Sequence, residues 1–182
     1  QVVWQIKTAD NDLMESHTGA PLAFKNIAIN GVTGAEMGIR GHIDAVDIRT
    51  GNIAWTTYTI PAKGEPGNET WADPYSAWMT GGGSVWQAGS YDPALNLVYY
   101  GTGNPNPDYY GDDRAGSNLY TCSLIALDAD TGLACVRHRC PQYRLGSGID
   151  ICIAINDCWI CATTFHQYRS QLLGAASGNL LS

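Results

Sequence analysis

Sulfur and nitrogen ligands cluster near the C-terminus, where Cys152, Cys158, Cys161 and His166 offer four donors of the kind that hold tetrahedral zinc. Their spacing matches no common zinc finger, and one Cys-x-x-Cys is a weak signal. Ala162 follows Cys158-Trp159-Ile160-Cys161 where a c-type haem attachment needs His. A different chemistry lies upstream. Gly81-Gly82-Gly83-Ser84 leads into Trp86; glycines let a ligand approach the backbone, and an indole offers a flat face for stacking. Glu36 stands between small residues and the apolar Met37 and Ile39, a setting that favours a buried carboxylate over a solvated one. Gly101-Thr102-Gly103-Asn104-Pro105 reads by itself as a turn. The hydroxyls of Thr18, Thr33 and Ser84, taken singly, are those of ordinary turn or capping residues.

The elements that would position these groups show up as a repeat. Ala45-Val46-Asp47-Ile48-Arg49-Thr50-Gly51-Asn52-Ile53-Ala54-Trp55 has a partner in Ala126-Leu127-Asp128-Ala129-Asp130-Thr131-Gly132-Leu133-Ala134-Cys135-Val136. Both read Ala-x-Asp-x-x-Thr-Gly, and only the first ends in Trp. An apolar strand enters a turn, Thr-Gly supplies hydrogen bonding and a permissive φ, and a second strand returns. The terminal Trp can then dock on a neighbouring sheet. Gln1-Val2-Val3-Trp4 matches the tail of this unit without its first half, so the chain is expected to be cut within its own repeat. Two further hairpins are predicted. One joins Pro21–Lys25 to Ile27–Asn30 around Asn26. The other joins Trp86–Tyr91 to Leu97–Tyr100 through Asp92-Pro93-Ala94-Leu95-Asn96. The polar, turn-rich stretch from Thr57 to Met79 reads as a long surface insertion. Short strands with a blade-sized repeat predict an all-β chain of propeller type.

Composition narrows the function. Gly is abundant, with 21 residues, and Trp and Tyr number 6 and 10, which suits short strands and tight turns. The formal net charge of −7 argues against nonspecific nucleic-acid binding, which depends on cationic side chains. No apolar run is long enough to predict a transmembrane helix, and no signal-peptide pattern stands at the N-terminus. Residues 1–132 hold 15 of the 17 acids and one cysteine, whereas residues 133–182 hold two acids, no lysine and five cysteines. The organisation expected is therefore 1–132 as one propeller region and 133–182 as a cysteine-rich tail.

The segments Gly31-Val32-Thr33-Gly34-Ala35-Glu36-Met37-Gly38-Ile39-Arg40-Gly41, Gly81-Gly82-Gly83-Ser84-Val85-Trp86 and Tyr99-Tyr100-Gly101-Thr102-Gly103-Asn104-Pro105, together with the Asp-x-x-Thr-Gly-x-x-x-Trp unit, resemble pyrroloquinoline-quinone (PQQ)-dependent alcohol dehydrogenases of the methanol and ethanol type, in that family's order. The resemblance covers about residues 1–132. It implies a propeller of about eight four-stranded blades, of which this chain would be an incomplete piece of about two, unstable or inactive alone. It implies that Trp86 is the platform beneath PQQ, that Thr18, Thr33, Gly34, Ala35 and Ser84 bind the cofactor, and that Glu36 and Asn104 ligate a metal. A carboxylate and a carboxamide are hard oxygen donors suited to calcium; a lanthanide is not excluded. The family oxidises a small alcohol by hydride transfer to the quinone, passes electrons onward with cytochrome c as the expected acceptor of the full-length protein, and works in the periplasm. The family's catalytic base has no match: Asp150 and Asp157 lie in unmatched sequence, and no residue is assigned that role. The paired cysteines that cover the other face of PQQ in the family are also absent.

After Gly132 the resemblance stops, and Val136 takes the place of the docking Trp. Three readings of the tail stay open: an out-of-frame or mis-joined translation, a divergent strand region, and a metal or disulfide module. For the chain as a whole, the alternative to a quinoprotein enzyme is a non-enzymatic propeller scaffold that shares the docking repeat and binds no quinone.

Overall fold

A computed structural model describes residues 1–72, 76–139, 143–145 and 149–151 of the 182-residue chain. The chain divides into two compact units, Gln1–Cys152 and Ile153–Ser182, and all described residues fall in the first. Its regular structure is strand with short 3-10 turns.

Four strands, β1 (Leu22–Phe24), β2 (Ile27–Gly31), β3 (His42–Asp47) and β4 (Ile53–Tyr58), form an antiparallel sheet in chain order. A second sheet repeats the plan with β5 (Ser90–Asp92), β6 (Leu97–Gly101), β7 (Ser123–Asp128) and β8 (Ala134–Arg139). Two four-stranded meanders are what two blades of a propeller look like. Both predicted hairpins form. The first turns on Lys25-Asn26, with Lys25 in the left-handed region at φ 48°. In the second, the Asp92 carboxylate accepts from the amides of Ala94 (2.9 Å) and Leu95 (3.3 Å), which folds the Asp-Pro turn. Its first strand starts only at Ser90, so Trp86 stands outside the sheet.

The repeated unit makes the same turn twice. Asp47 and Asp128 each accept, at the main-chain oxygen, the amide of the glycine four residues on, Gly51 and Gly132 (2.8 and 2.9 Å). Both glycines have a left-handed φ, 75° and 71°. A register shift in β3–β4 at Ala45/Val46 recurs in β7–β8 at Ala126/Leu127. Each turn receives an indole from an earlier part of the chain, Trp4 from the N-terminal segment and Trp55 from β4. Trp4 Nε1 donates to Ile48 O at 2.8 Å and its ring lies over Gly51. Trp55 Nε1 donates to Ala129 O at 3.2 Å and its ring lies over Gly132. A Cβ on Gly132 would sit 2.5 Å from the Trp55 ring, so only glycine lets the indole approach so closely.

Between the sheets, Ile29, Ile43, Ala45 and Trp55 from the first pack with Val85, Val98, Tyr100, Ile125, Leu127 and Ala129. Phe24 stacks on Tyr91, with ring centroids 3.8 Å apart and planes 8° from parallel.

The stretch from Thr57 to Met79 departs from the surface insertion expected. It begins inside β4, and Thr59, Ile60 and Trp71 are buried. Trp71 Nε1 donates to Leu119 O at 2.5 Å, and Thr70 O accepts from the Asn118 amide at 3.1 Å. Its apolar residues are too sparse to show a period, yet they plug the gap beneath Gly81–Gly83 and the loop before β7.

Candidate cofactor and metal site

Three loops and one short segment meet at the end of the two sheets. The first loop leaves β2 and runs through Val32-Thr33-Gly34 into a 3-10 turn, Ala35–Met37. The second is Gly81–Trp86, and the third follows β6 from Gly101 to Pro107. Main-chain hydrogen bonds lace them together. Val85 N donates to Val32 O (2.8 Å), Gly103 N to Ser84 O (2.7 Å), Gly83 N to Asn104 O (2.8 Å) and Gly82 N to Ile39 O (2.9 Å). The glycine run is the middle strand of this lacing. Gly82 has φ 79° and its missing Cβ would lie 2.8 Å from Asn104 O; a side chain there would push the third loop away.

Segment 16–18 closes the remaining side. Ser16 and Thr33 exchange both main-chain hydrogen bonds, at 3.1 and 2.9 Å. Thr18 Oγ1 donates to Trp86 O at 3.4 Å. Thr18, Thr33, Gly34, Ala35, Glu36, Ser84, Trp86 and Asn104 therefore all stand on segments hydrogen-bonded to one another, although they span 87 residues of sequence. Ser84 and Ala35 are buried, whereas Trp86 is 45% exposed, so much of its indole is accessible. Glu36 is exposed rather than buried: in the one-turn helix Ala35 takes the inward position and Glu36 the outward one.

Around Asn104 the polar groups are dense. Its Oδ1 accepts a long hydrogen bond of 3.6 Å from the Cys122 thiol. Burial, then the negative charge of Glu36, raise the Asp108 pKa above its ordinary value, against the opposing influence of Asn104 and Arg114. Asp108 Oδ1 is buried and has no hydrogen-bond partner. Arg114, 2% exposed, braces this loop: its Nε and Nη2 donate to Pro107 O (3.3 and 3.2 Å) and its Nη1 to Asn118 Oδ1 (2.8 Å). Sequence reasoning passed over Asp108 and Arg114. The one available signal was an acid four residues past Asn104; Arg114, next to Asp112 and Asp113, looks like part of a solvated charge run.

Among the described residues, no three His, Cys, Asp or Glu side chains gather as a ready-made metal cluster. A cation here would draw on mixed oxygen donors, Glu36 and the Asn104 amide first, and a buried Asp108 oxygen without a hydrogen-bond partner lies on the same loop as Asn104. For a flat, tricarboxylated quinone, the accessible indole of Trp86 and the neighbouring hydroxyls of Thr18 and Thr33 are chemically suitable. The zinc candidates Cys152, Cys158, Cys161 and His166, and Asp157, lie outside the described residues, and nothing is described of the Asp150 side chain.

Residues 2–136 match a family model described as the β-propeller domain of glucose/ethanol/alcohol dehydrogenases that use PQQ. The chain is 39% identical over 148 residues to a lanthanide-dependent methanol dehydrogenase of Methylacidiphilum fumariolicum, covering 72% of this chain and 24% of that protein. It is 35% identical over 150 residues to methanol dehydrogenase [cytochrome c] subunit 1 of Methylorubrum extorquens, covering 74% and 24%. Among solved structures, a europium-containing methanol dehydrogenase superposes with a TM-score of 0.70 at 37% identity, covering 75% of this chain and 27% of that one. The chain spans about a quarter of the length of these relatives. One family model thus accounts for both sheets and for the three laced loops between them, and the chain belongs to the PQQ-dependent alcohol dehydrogenase β-propeller family.

Proposed function

We propose that this chain is part of a PQQ- and calcium-dependent oxidoreductase that oxidises an alcohol by hydride transfer to the quinone. In the whole protein, working in the periplasm, the electrons would pass to a cytochrome c; a cytochrome c is what the name of the Methylorubrum relative gives for that enzyme. The observation that carries the reading is the lacing of the loops bearing Glu36, Trp86 and Asn104 by main-chain bonds of 2.7–2.8 Å at Val85, Gly83 and Gly103. A scaffold propeller has no need to carry hard oxygen donors and an accessible indole on loops tied together in this way.

In this reading Trp86 supports the ring system by stacking and excludes water from one face. Thr18, Thr33 and Ser84, with the backbone of Gly34 and Ala35, hold the polar edge. Glu36 and Asn104 hold calcium, or a lanthanide as in the Methylacidiphilum relative. Bound there, PQQ would supply the hydride acceptor and the cation would supply Lewis-acid polarisation. Among the described residues no carboxylate is assigned as the general base.

The test is a titration of PQQ with calcium into the chain, followed by quenching of tryptophan fluorescence. Trp86→Ala should weaken binding by about 1–3 kcal/mol, the range for aromatic stacking on flat heterocycles. Undiminished PQQ binding by that variant would remove the platform role, and absence of any calcium-dependent PQQ binding would favour a scaffold.

A further inference from the structure

His42 stands at the start of β3 with a carboxylate on either side. Its Nε2 lies 3.2 Å from Asp44 Oδ2 and its Nδ1 lies 3.8 Å from Glu15 Oε1, and none of the three side chains is more than 11% exposed. Nδ1 is inaccessible to water and has no hydrogen-bond partner. A neutral imidazole has one N–H. Spent on Asp44, it leaves a bare Nδ1 lone pair facing the Glu15 carboxylate, and a buried polar atom in that state is costly. A protonated ring carries an N–H on both sides and matches both acids. Asp44 is held in place from β4, where the Thr56 hydroxyl donates to its Oδ1 at 2.5 Å. The other neighbours do not offset the two acids. On β4 the Tyr58 ring is tilted against His42, with centroids 5.6 Å apart. The Arg40 guanidinium lies over that same ring at 4.0 Å and donates to Ile60 O. β2 brings no titratable side chain, and His17 is engaged by Gly31 O and the Thr8 hydroxyl, both at 2.9 Å.

We propose that Glu15 and protonated His42 form a pH-dependent latch that holds residues 10–18 against the loop after β2. Glu15 is the pivot of that segment. Its Oε2 accepts from Asp10 N at 2.8 Å, and its own amide donates to Asp10 O at 3.0 Å. On one side of it, Met14 O lies against Gly34, which has no room for a side chain. On the other, Ser16 exchanges main-chain bonds with Thr33, and Thr18 reaches Trp86 O. Protonation lets the Nδ1–H close from 3.8 Å to hydrogen-bond distance of Glu15. Deprotonation leaves the segment on its Ser16–Thr33, His17–Gly31 and Thr18–Trp86 ties alone. Burial disfavours a charged His42, but Asp44 and then Glu15 outweigh it, so its pKa is raised above the ordinary value. The latch is therefore closed below that raised value and opens as the pH climbs through it. If Thr18 serves PQQ as proposed above, cofactor retention follows the same step. The latch itself is read without cofactor, so its test does not depend on that reading.

The experiment is amide hydrogen exchange on the full chain between about pH 6 and about pH 9, a range that brackets histidine titration. Rates are corrected for the intrinsic pH dependence of exchange and expressed as protection factors, which report local opening. Protection of the Ser16 and Thr33 amides, which bond to each other's carbonyls, should fall about 10-fold or more from the lower to the higher pH, the scale of one hydrogen bond to a charged group. Amides of β6, in the second sheet, should not follow. In His42→Gln, which cannot take a charge, the step should vanish, and Glu15→Gln should remove it as well. A step that persists in His42→Gln belongs to another group, His17 included, and overturns the proposal. An equal step in β6 also overturns it, because it marks a loss of stability throughout the chain. A third measurement needs no variant. The His42 ring is titrated by NMR in the unsubstituted chain, and its midpoint should coincide with that of the Ser16 and Thr33 step. Midpoints that differ, or no step at all, would leave His42 as a buried histidine with no hold on the segment.

Discussion

Replacing Trp4 and Trp55 separately by alanine isolates what burial adds to an indole that already has its hydrogen bond. Both rings donate to the residue after the turn Asp, Ile48 and Ala129, and both cover the turn glycine. They differ in exposure, 36% for Trp4 against 8% for Trp55. That difference, applied to a tryptophan that buries up to about 250 Å², is about 70 Å². At about 25 cal/mol per Å² it is worth about 2 kcal/mol. Trp55→Ala falls in the range for loss of a core aromatic, about 3–5 kcal/mol, and Trp4→Ala should cost about 2 kcal/mol less. The phenylalanine pair is the control. Trp55→Phe and Trp4→Phe keep most of the ring and remove the N–H, so each should lose about 1 kcal/mol, with little difference between them. Urea unfolding followed by circular dichroism measures all four, with unchanged m-values required for the comparison. Alanine variants that agree within about 0.5 kcal/mol, or a larger loss at Trp4, would refute burial as the source of the docking energy.

Two further outcomes are expected. Gly132→Ala should destabilise by at least about 1–2 kcal/mol from its left-handed backbone alone, and it should shift Trp55 emission, since the new Cβ would meet the ring at 2.5 Å; an unshifted spectrum would show that the indole does not sit on the turn. Burial disfavours a charged His42, but Asp44 (3.2 Å from Nε2) and Glu15 (3.8 Å from Nδ1) outweigh it, so the folded pKa is raised above 6.5. Stabilisation from this group is complete below pH 6.5 and is lost as the pH climbs through the raised value. The thermal midpoint should therefore fall on going upward from neutral pH, and His42→Gln should flatten that slope.

The fold was readable where local chemistry repeats. Asp47 and Asp128, each followed by Thr-Gly, announce the turn, and Trp55 announces what covers it. The hairpin around Asn26 and the Asp92-Pro93 turn were equally plain, because their geometry is set within a few residues. What stayed hidden depends on partners distant in sequence. Ile60 and Trp71 sit in polar, turn-rich sequence and become core only because Gly81 and Gly83 leave room for them. Glu36 has apolar neighbours along the chain, yet a single 3-10 turn directs it outward. That the loops carrying the candidate site residues lie together was legible because they resemble a family's, whereas Asp108 and Arg114 acquire meaning only once the loop after β6 has folded.

The relay of tryptophans has a direction. Trp4 reaches 44 residues forward and Trp55 reaches 74, each to a turn made later in the chain. On a ribosome adding about 5–20 residues per second, Trp55 waits roughly 4–15 s for its acceptor at Ala129 to be synthesised. During that interval the flank of the first sheet, with Ile29 and Ile43, has no second sheet to meet. Slow codons downstream of Trp55 would lengthen this exposed period, and a chaperone that recognises aromatic and branched aliphatic surface would find its target there.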